Sequence, residues 1–493
     1  MTLSQLINEL IRYGIDKKLL SKLDYDYVAN RLIAIYNEKV FEKLDVKPRD
    51  IHSILADLAK FAYDKGIIES NDVVTLDNFK AKLMDELLPK PSEVIRVFKD
   101  YYNISPKHAT NYLYDLAINS NYIQAKRNSQ NESWSGLTKY GLLELTINLA
   151  KPEKDPKLIA LQKSISYGYP KCHLCVENEG YTGHIGYDSK ANMRIIPITL
   201  NGENWRFQYS PYAYYPEHSI VLNEEHVPMV IDDNTFIKLI DFLDLFPHYF
   251  VGSNSGLTIV GGSILSHEHF QAGNYKFPIE SAKEVFIGKY KSVSISRLIW
   301  PMSTIRISSD NKLELIDYAS RVLNQWREYK NKDLLIINSN DEIHNTITPI
   351  ARKNDNIYTL DLVLRNNYTN DEYPDGVFHV HPKYYNLKKE NLGLIEAMGL
   401  GVLPPRLKQE FKLLEEILKG NHSLMNNPAI QVHKEWLETL QADYNHNYEV
   451  TKFIREEAVK VFEKILECAG VFKQDSTGIK HFEEFIKNTI NMK

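Results

Sequence analysis

Leu3, Leu6, Ile7, Leu10 and Ile11 recur at helical spacing behind Thr2, a residue type that caps helix N-termini. Pro48 and Pro106 stand where further helices can start, and Pro89 and Pro91 punctuate the stretch. The pattern predicts a mainly helical N-terminal region over residues 1–118, with its many Lys, Glu and Asp side chains on solvated faces. From Asn119 the texture changes. A polar loop through Ser129 and Ser135 leads to residues 142–149, where apolar and polar positions alternate as in a strand. Residues 277–284 read as the start of a helix, and residues 297–302, 334–337, 358–365 and 377–382 as a strand-rich run. Beyond residue 400 the helical period returns, in Leu413, Leu414, Ile417 and Leu418 and again in Val459, Phe462 and Ile465. The order helix, strand, helix gives an α+β protein.

Within the strand-rich region a single stretch carries chemistry: Gly261-Gly262-Ser263-Ile264-Leu265-Ser266-His267-Glu268-His269-Phe270-Gln271-Ala272-Gly273. His267, His269 and Gln271 fall at every second position, so on a strand they share one face. Two imidazoles and an amide pack poorly as core but suit a phosphate. Neutral imidazole is nucleophilic near neutral pH, phosphohistidine is a workable covalent intermediate, and glycines let backbone N–H groups approach phosphate oxygens. Glu268, between the two histidines, faces the opposite way. Upstream, Cys172-His173-Leu174-Cys175 follows Tyr169-Pro170 in a loop, which disfavours thioredoxin-like redox use. A tetrahedral zinc needs two more ligands, which His226 and His267 can supply, with His218 a rival on spacing alone. A metal lies only about 2 Å from its histidine ligand. Zinc on His267 is therefore structural and leaves His269 for the chemistry. Lys126 and Arg127 are candidates for a nucleotide phosphate.

Composition narrows the class. A chain of 493 residues exceeds one ordinary core, and a formal net charge of −5 argues against nucleic acid as the main partner. No apolar run approaches membrane-spanning length and no leader pattern opens the chain, which points to the cytoplasm. Three cysteines cannot form a disulfide framework.

The segment His267-Glu268-His269-Phe270-Gln271, preceded by Asn254, Gly261, Gly262 and Ser263, resembles the histidine-triad superfamily in its transferase variant, where Gln replaces the third His. With Tyr169 to Cys175 and this length, the chain is similar to the second class of galactose-1-phosphate uridylyltransferases, a family of galactose metabolism. The resemblance implies two histidine-triad-like half-barrels of mainly antiparallel sheet, residues 119–295 and a degenerate second half at 296–400, flanked by the helical regions 1–118 and 401–493. It implies transfer of uridylyl from UDP-glucose to galactose 1-phosphate by double displacement through His269. Gln271, Ser263 and backbone amides then hold the phosphate, and Asn254, Gly261, Gly262, Lys126 and Arg127 bind substrate. It also implies a structural zinc on Cys172, Cys175, His226 and His267, no organic cofactor, and a homodimer in which the region after the second His-x-His, with Glu396 and Arg406 as candidates, meets the hexose phosphate. His379 and His381 look like an echo of the first motif. Some relatives add a second metal there with an acid like Glu284, but the His expected after Trp300-Pro301 is absent, which argues against it. The triad fixes the chemistry and not the base. A transferase or phosphorylase acting on a dinucleoside polyphosphate or GDP-hexose is therefore the alternative, and a zinc-stabilised nucleotide-binding module without turnover the rival from another class.

Overall fold

Helix caps set the N-terminal region. In the computed structural model, Thr2 Oγ1 accepts from Gln5 N at 3.2 Å and opens the helix Leu3–Asp16, and Ser105 with Pro106 opens Pro106–Asn119. Pro48 starts nothing. The helix Ile51–Asp64 begins behind Asp50, whose carboxylate accepts from His52 N and Ser53 N. Pro91 does start one, Pro91–Tyr102. The structure describes residues 1–149, 168–184, 187–262, 264–338 and 342–491.

Two sheets follow. In the smaller, β1 (Glu132–Thr138) pairs antiparallel with β2 (Gly141–Ile147), which pairs parallel with β13 (Leu400–Leu403). The larger sheet has two halves. The first is β3 (Ile196–Leu200), β4 (Glu203–Tyr209), β5 (Ser219–Asn223), β6 (Phe250–Gly252) and β7 (His269–Gly273). The second is β8 (Glu284–Tyr290), β9 (Val293–Leu298), β10 (Thr304–Ser309), β11 (Asn345–Asn354) and β12 (Ile357–Asn366). These ten strands run in the order β3-β4-β5-β7-β6-β11-β12-β10-β9-β8. Every neighbouring pair is antiparallel.

The halves repeat one plan: three consecutive strands, a helix, then two strands that exchange order. The helices are Asp233–Leu245 and Lys312–Glu328. β6 meets β11 at the junction, so the strand matching β7 is β12. His379 and His381 come after β12, outside any strand, and do not occupy the place of the first motif. Two shorter expectations also differ. Residues 278–281 form a single 3-10 turn before β8, because Glu280 reaches back to Phe277 N at 3.0 Å and Ala282 is already extended. Leu335 adopts a left-handed conformation, which breaks the strand read over 334–337.

Burial explains the anomalous charges in the second half. Asp361, in the middle of apolar β12, is fully buried and takes Arg306 at 2.6 and 2.8 Å and Arg352 at 2.7 Å. Burial alone would raise its pKa, but the two guanidiniums outweigh it and hold the carboxyl below its usual range. The first half rests on the helix Asp233–Leu245, where Phe242 and, just past the helix end, Phe246 pack on Phe207. That helix starts with a capping box: Thr235 N donates to Asp232 Oδ1 at 3.1 Å, and Asp232 N to Thr235 Oγ1 at 3.0 Å. Asp232→Ala is expected to lower stability by about 1 kcal/mol, measured by chemical unfolding. Turnover at 25 °C is expected to stay unchanged, because the carboxylate's partners, Thr235 and Asn234, belong to the cap and not to the site described below. Among the described residues no helix is long and apolar enough to cross a membrane.

Candidate active site and metal cluster

β7 lies between β5 and β6, with His269 opposite Leu222 and Gln271 opposite Ile220 and Gly252. Alternation then sorts its side chains. Phe270 stacks on Trp205 at 4.8 Å on the side of the helix Asp233–Leu245. Glu268 follows it there, bound by Lys238 Nζ at 2.9 Å and Asn223 Nδ2 at 2.9 Å, away from the two histidines. His269 and Gln271 occupy the other face.

The strand is shorter than its sequence suggests. Residues 264–268 form a turn rather than a strand, pinned by Glu268 N donating to Val227 O at 2.7 Å and Met229 N donating to Leu265 O at 2.9 Å. Gly261 and Gly262 are required there by close approach. A Cβ on Gly261 would lie 2.5 Å from Leu257 O, and one on Gly262 2.5 Å from Asn254 Nδ2. Asn254 is itself held, its Oδ1 accepting from Leu394 N at 2.8 Å. Ser263 lies outside the described residues.

The turn divides the two histidines between two tasks. His267 Nε2 donates to Asn223 O at 2.8 Å, which leaves Nδ1 facing Cys172 Sγ at 3.3 Å and Cys175 Sγ at 3.6 Å. His226 Nδ1 lies 3.1 Å from Cys175 Sγ, and the two sulfurs are 3.5 Å apart. All four donor atoms lie within 4.8 Å of one another, the one such group among the described residues. A tetrahedral zinc with bonds of about 2.0–2.3 Å has edges of roughly 3.3–3.8 Å; four separations, 3.1, 3.3, 3.5 and 3.6 Å, lie in or close to that range, so two thiols and two imidazoles are placed to close on a zinc with small shifts. Burial pushes the Cys175 thiol up to about 12, and a thiolate there calls for a cation. Asn178 Nδ2 braces the turn by donating to both Cys172 O and Cys175 O at 2.8 Å. His218 is not part of the cluster. It lies 3.3 Å from Gln271 Oε1 instead.

His269 is tied differently. Its Nδ1 lies 2.8 Å from His267 O, so Nδ1 carries the proton and Nε2 the lone pair. Burial lowers the ring to about 4, which keeps it neutral at neutral pH. The arrangement presents one neutral, oriented imidazole beside an amide that can bond but not titrate.

The remaining candidates lie in other surroundings. Arg127 pairs with Asp77 at 2.8 Å, and Lys126 and Arg127 both line a cleft with His52, Lys80 and Gln130 of the helical region and its edge. Glu396 accepts from Gly393 N at 3.0 Å and pairs with Lys388 at 3.1 Å, on the segment that packs on Gly252 through Leu394. Arg406 is bound to Glu410 at 2.5 Å and to Asn386 O at 3.0 Å, and His433 completes that network at 2.7 Å from Glu410. Glu284 pairs with Arg306 and His379 with Asn391, so the described residues gather no second metal group from them. Arg365 escaped the sequence reading. It is buried with neutral partners, Leu392 O at 2.9 Å and Thr348 Oγ1 at 3.4 Å, and burial lowers it to about 10. A charge closing an apolar strand was its signal.

The five-strand-and-helix repeat, with His-x-His-x-Gln leading into the last strand of its first half, is in line with the arrangement that the histidine-triad resemblance implies. The family profile described as galactose-1-phosphate uridyl transferase, N-terminal domain, matches residues 18–228, and its C-terminal counterpart matches residues 242–438. The chain belongs to the galactose-1-phosphate uridylyltransferase family. It is 46% identical over 490 residues to galactose-1-phosphate uridylyltransferase of Clostridium acetobutylicum, covering 97% of this chain and 98% of that protein. The Clostridium perfringens strain 13 enzyme of the same name is 43% identical, with 99% of each chain covered. Among solved structures, yeast Ap4A phosphorylase Apa2 with Ap4A aligns at 12% identity and a TM-score of 0.36, over 66% of this chain and 96% of that one.

Proposed function

We propose that this chain transfers uridylyl from UDP-glucose to galactose 1-phosphate through a uridylyl-histidine. The observation that carries the reading is the bond from His269 Nδ1 to His267 O, which leaves Nε2 as an aimed, neutral nucleophile. Nε2 attacks the α-phosphorus, the bond from that phosphorus to the bridging oxygen breaks, and glucose 1-phosphate leaves. A phosphate oxygen of galactose 1-phosphate then attacks the same phosphorus, UDP-galactose forms, and the electron pair returns to Nε2. Covalent catalysis divides one hard transfer into two easier ones. Gln271 donates to a phosphoryl oxygen in both steps, and the glycine turn with Asn254 supports the same group from its other side. The names of the relatives support the hexose and the nucleotide.

Cys172, Cys175, His226 and His267 are proposed to hold a structural zinc. Bound there, it would cross-link the loop before β3, the end of β5 and the turn before β7, and so fix the carbonyl that orients His269. Elemental analysis is expected to find about one equivalent of zinc per chain, and chelation to lower the melting temperature. Metal-free protein whose melting is indifferent to chelator would reject the assignment.

Pre-steady-state mixing with radiolabelled UDP-glucose tests the main reading. A burst of glucose 1-phosphate and label retained on denatured protein, both discharged by galactose 1-phosphate, are expected. A burst only from GDP-hexose or a dinucleoside polyphosphate would move the chain to the alternative substrate class, and no burst from any of them would leave a binding module.

A further inference from the structure

His218 has a place in the site but no task in the mechanism above. It is buried just before β5, and Ile220 of that strand stands opposite Gln271. Residue 218 therefore shares Gln271's face as its diagonal neighbour. Its Nε2 lies 3.3 Å from Gln271 Oε1. Tyr215 and Tyr214 close around the imidazole with centroids 4.5 and 5.3 Å away, and its Nδ1 has no hydrogen-bond partner. Burial lowers the ring to about 3, so it is neutral and carries one N–H. That proton belongs on Nε2. Placed there it is satisfied by Gln271 Oε1 and leaves an unpaired acceptor at Nδ1, whereas the other tautomer would bury an orphan donor, the rarer defect.

We propose that His218 is a positioning residue that decides which end of the Gln271 amide faces the transferring phosphoryl group. A primary amide has one donating and one accepting end, and rotation by half a turn exchanges them. A phosphoryl oxygen is stabilised by the first and repelled by the second. With Oε1 held by the His218 N–H, the NH2 group is the end left for the face it shares with His269. The donor is then set before substrate arrives, and a preorganised donor needs no reorganisation as charge develops. Without His218 the amide samples both orientations, and a fraction of complexes present an oxygen to an oxygen. Spacing made His218 look like a rival metal ligand; the pairing across β5 and β7 gives it this different partner.

The inference rests on the uridylyl-transfer reading, and the test separates the two. Single-turnover release of glucose 1-phosphate from UDP-glucose is measured for the full-length wild type, His218→Phe, Gln271→Ala and the double variant. His218→Phe keeps a ring of similar size and removes the donor. It is expected to slow the burst about tenfold, the scale of one lost hydrogen bond, while changing it by less than about twofold when Gln271 is already Ala. His218→Gln, which returns an N–H near the Nε2 position, is expected to restore most of the rate. Equal losses in both backgrounds, or no loss in either, would overturn the positioning role. If His218→Phe fails to fold, nitrogen-15 NMR of histidine-labelled wild type decides: His218 as the Nε2–H tautomer supports the proposal and the Nδ1–H tautomer overturns it. A wild type that bursts from another nucleotide and not from UDP-glucose overturns the substrate reading, and the same four-protein cycle is then read on that nucleotide.

Discussion

His269→Ala is expected to lower exchange by about four orders of magnitude or more and to leave the protein folded. The loss is that large because no neighbour can stand in. His267, the nearest imidazole in sequence, has both nitrogens committed, Nε2 to Asn223 O and Nδ1 to the cysteine cluster. His218 is committed to Gln271. The fold survives because His269 contributes one bond to a backbone carbonyl and is no part of the Cys/His cluster. Removing its ring from a buried place is expected to cost about 1–2 kcal/mol of stability, visible in melting. The measurement is a coupled assay of UDP-galactose formation together with the acid-quenched burst of glucose 1-phosphate. Turnover within tenfold of wild type would sink the covalent mechanism. Loss of turnover with a full burst would place the nucleophile elsewhere.

How far the site was legible in the sequence follows from which constraints act locally. Zinc chemistry admits few residue types, so Cys172 and Cys175, His226 and His267 could be gathered from three separate places before any fold was known, with the resemblance choosing His226 over His218, and the structure brings all four together. His269 and Gln271 were readable as one face because the period of two holds from residue 269 onward. The same period misleads before it. Close approaches at Gly261, by the Ser255 and Leu257 carbonyls, and at Gly262, by the Asn254 side chain, leave room only for glycine where the turn begins, and His267 reaches the cluster from that turn and not from the strand face. The second half was harder still. A repeated His-x-His suggested an echo at His379 and His381, yet the repeat lies in strand order, and β12, which matches β7, carries Asp361 and Arg365 in place of histidines. Two charges in an otherwise apolar strand were the signal, and it was not taken up in the sequence. Which partners depends on the fold: Arg352 comes from the adjoining strand of the same hairpin, whereas Arg306 for Asp361 and Leu392 O for Arg365 come from further along the chain. His218 belongs with these, since only the register of β5 on β7 brings it to Gln271.

Gln271→His should convert a fraction of the exchange into hydrolysis. In the wild type the side chain at 271 is an amide, which can donate and accept hydrogen bonds but cannot take a proton from water. On the proposed mechanism the uridylyl-enzyme would then wait for an incoming phosphate. An imidazole at the same place adds a lone pair and an ionisable N–H beside His269, and a positioned general base contributes about a hundredfold or more. The ratio of UMP release to UDP-galactose formation is therefore expected to rise about a hundredfold. The first half-reaction should partly survive, because its nucleophile and the His267 carbonyl that orients it are untouched. The measurement supplies UDP-glucose first alone and then with galactose 1-phosphate, and follows UMP, glucose 1-phosphate and UDP-galactose together. Wild type should leak little UMP in either case. If the substitution slows both half-reactions equally and UMP does not rise, Gln271 serves only to hold the phosphate, and the residue at 271 does not separate transfer from hydrolysis in this protein.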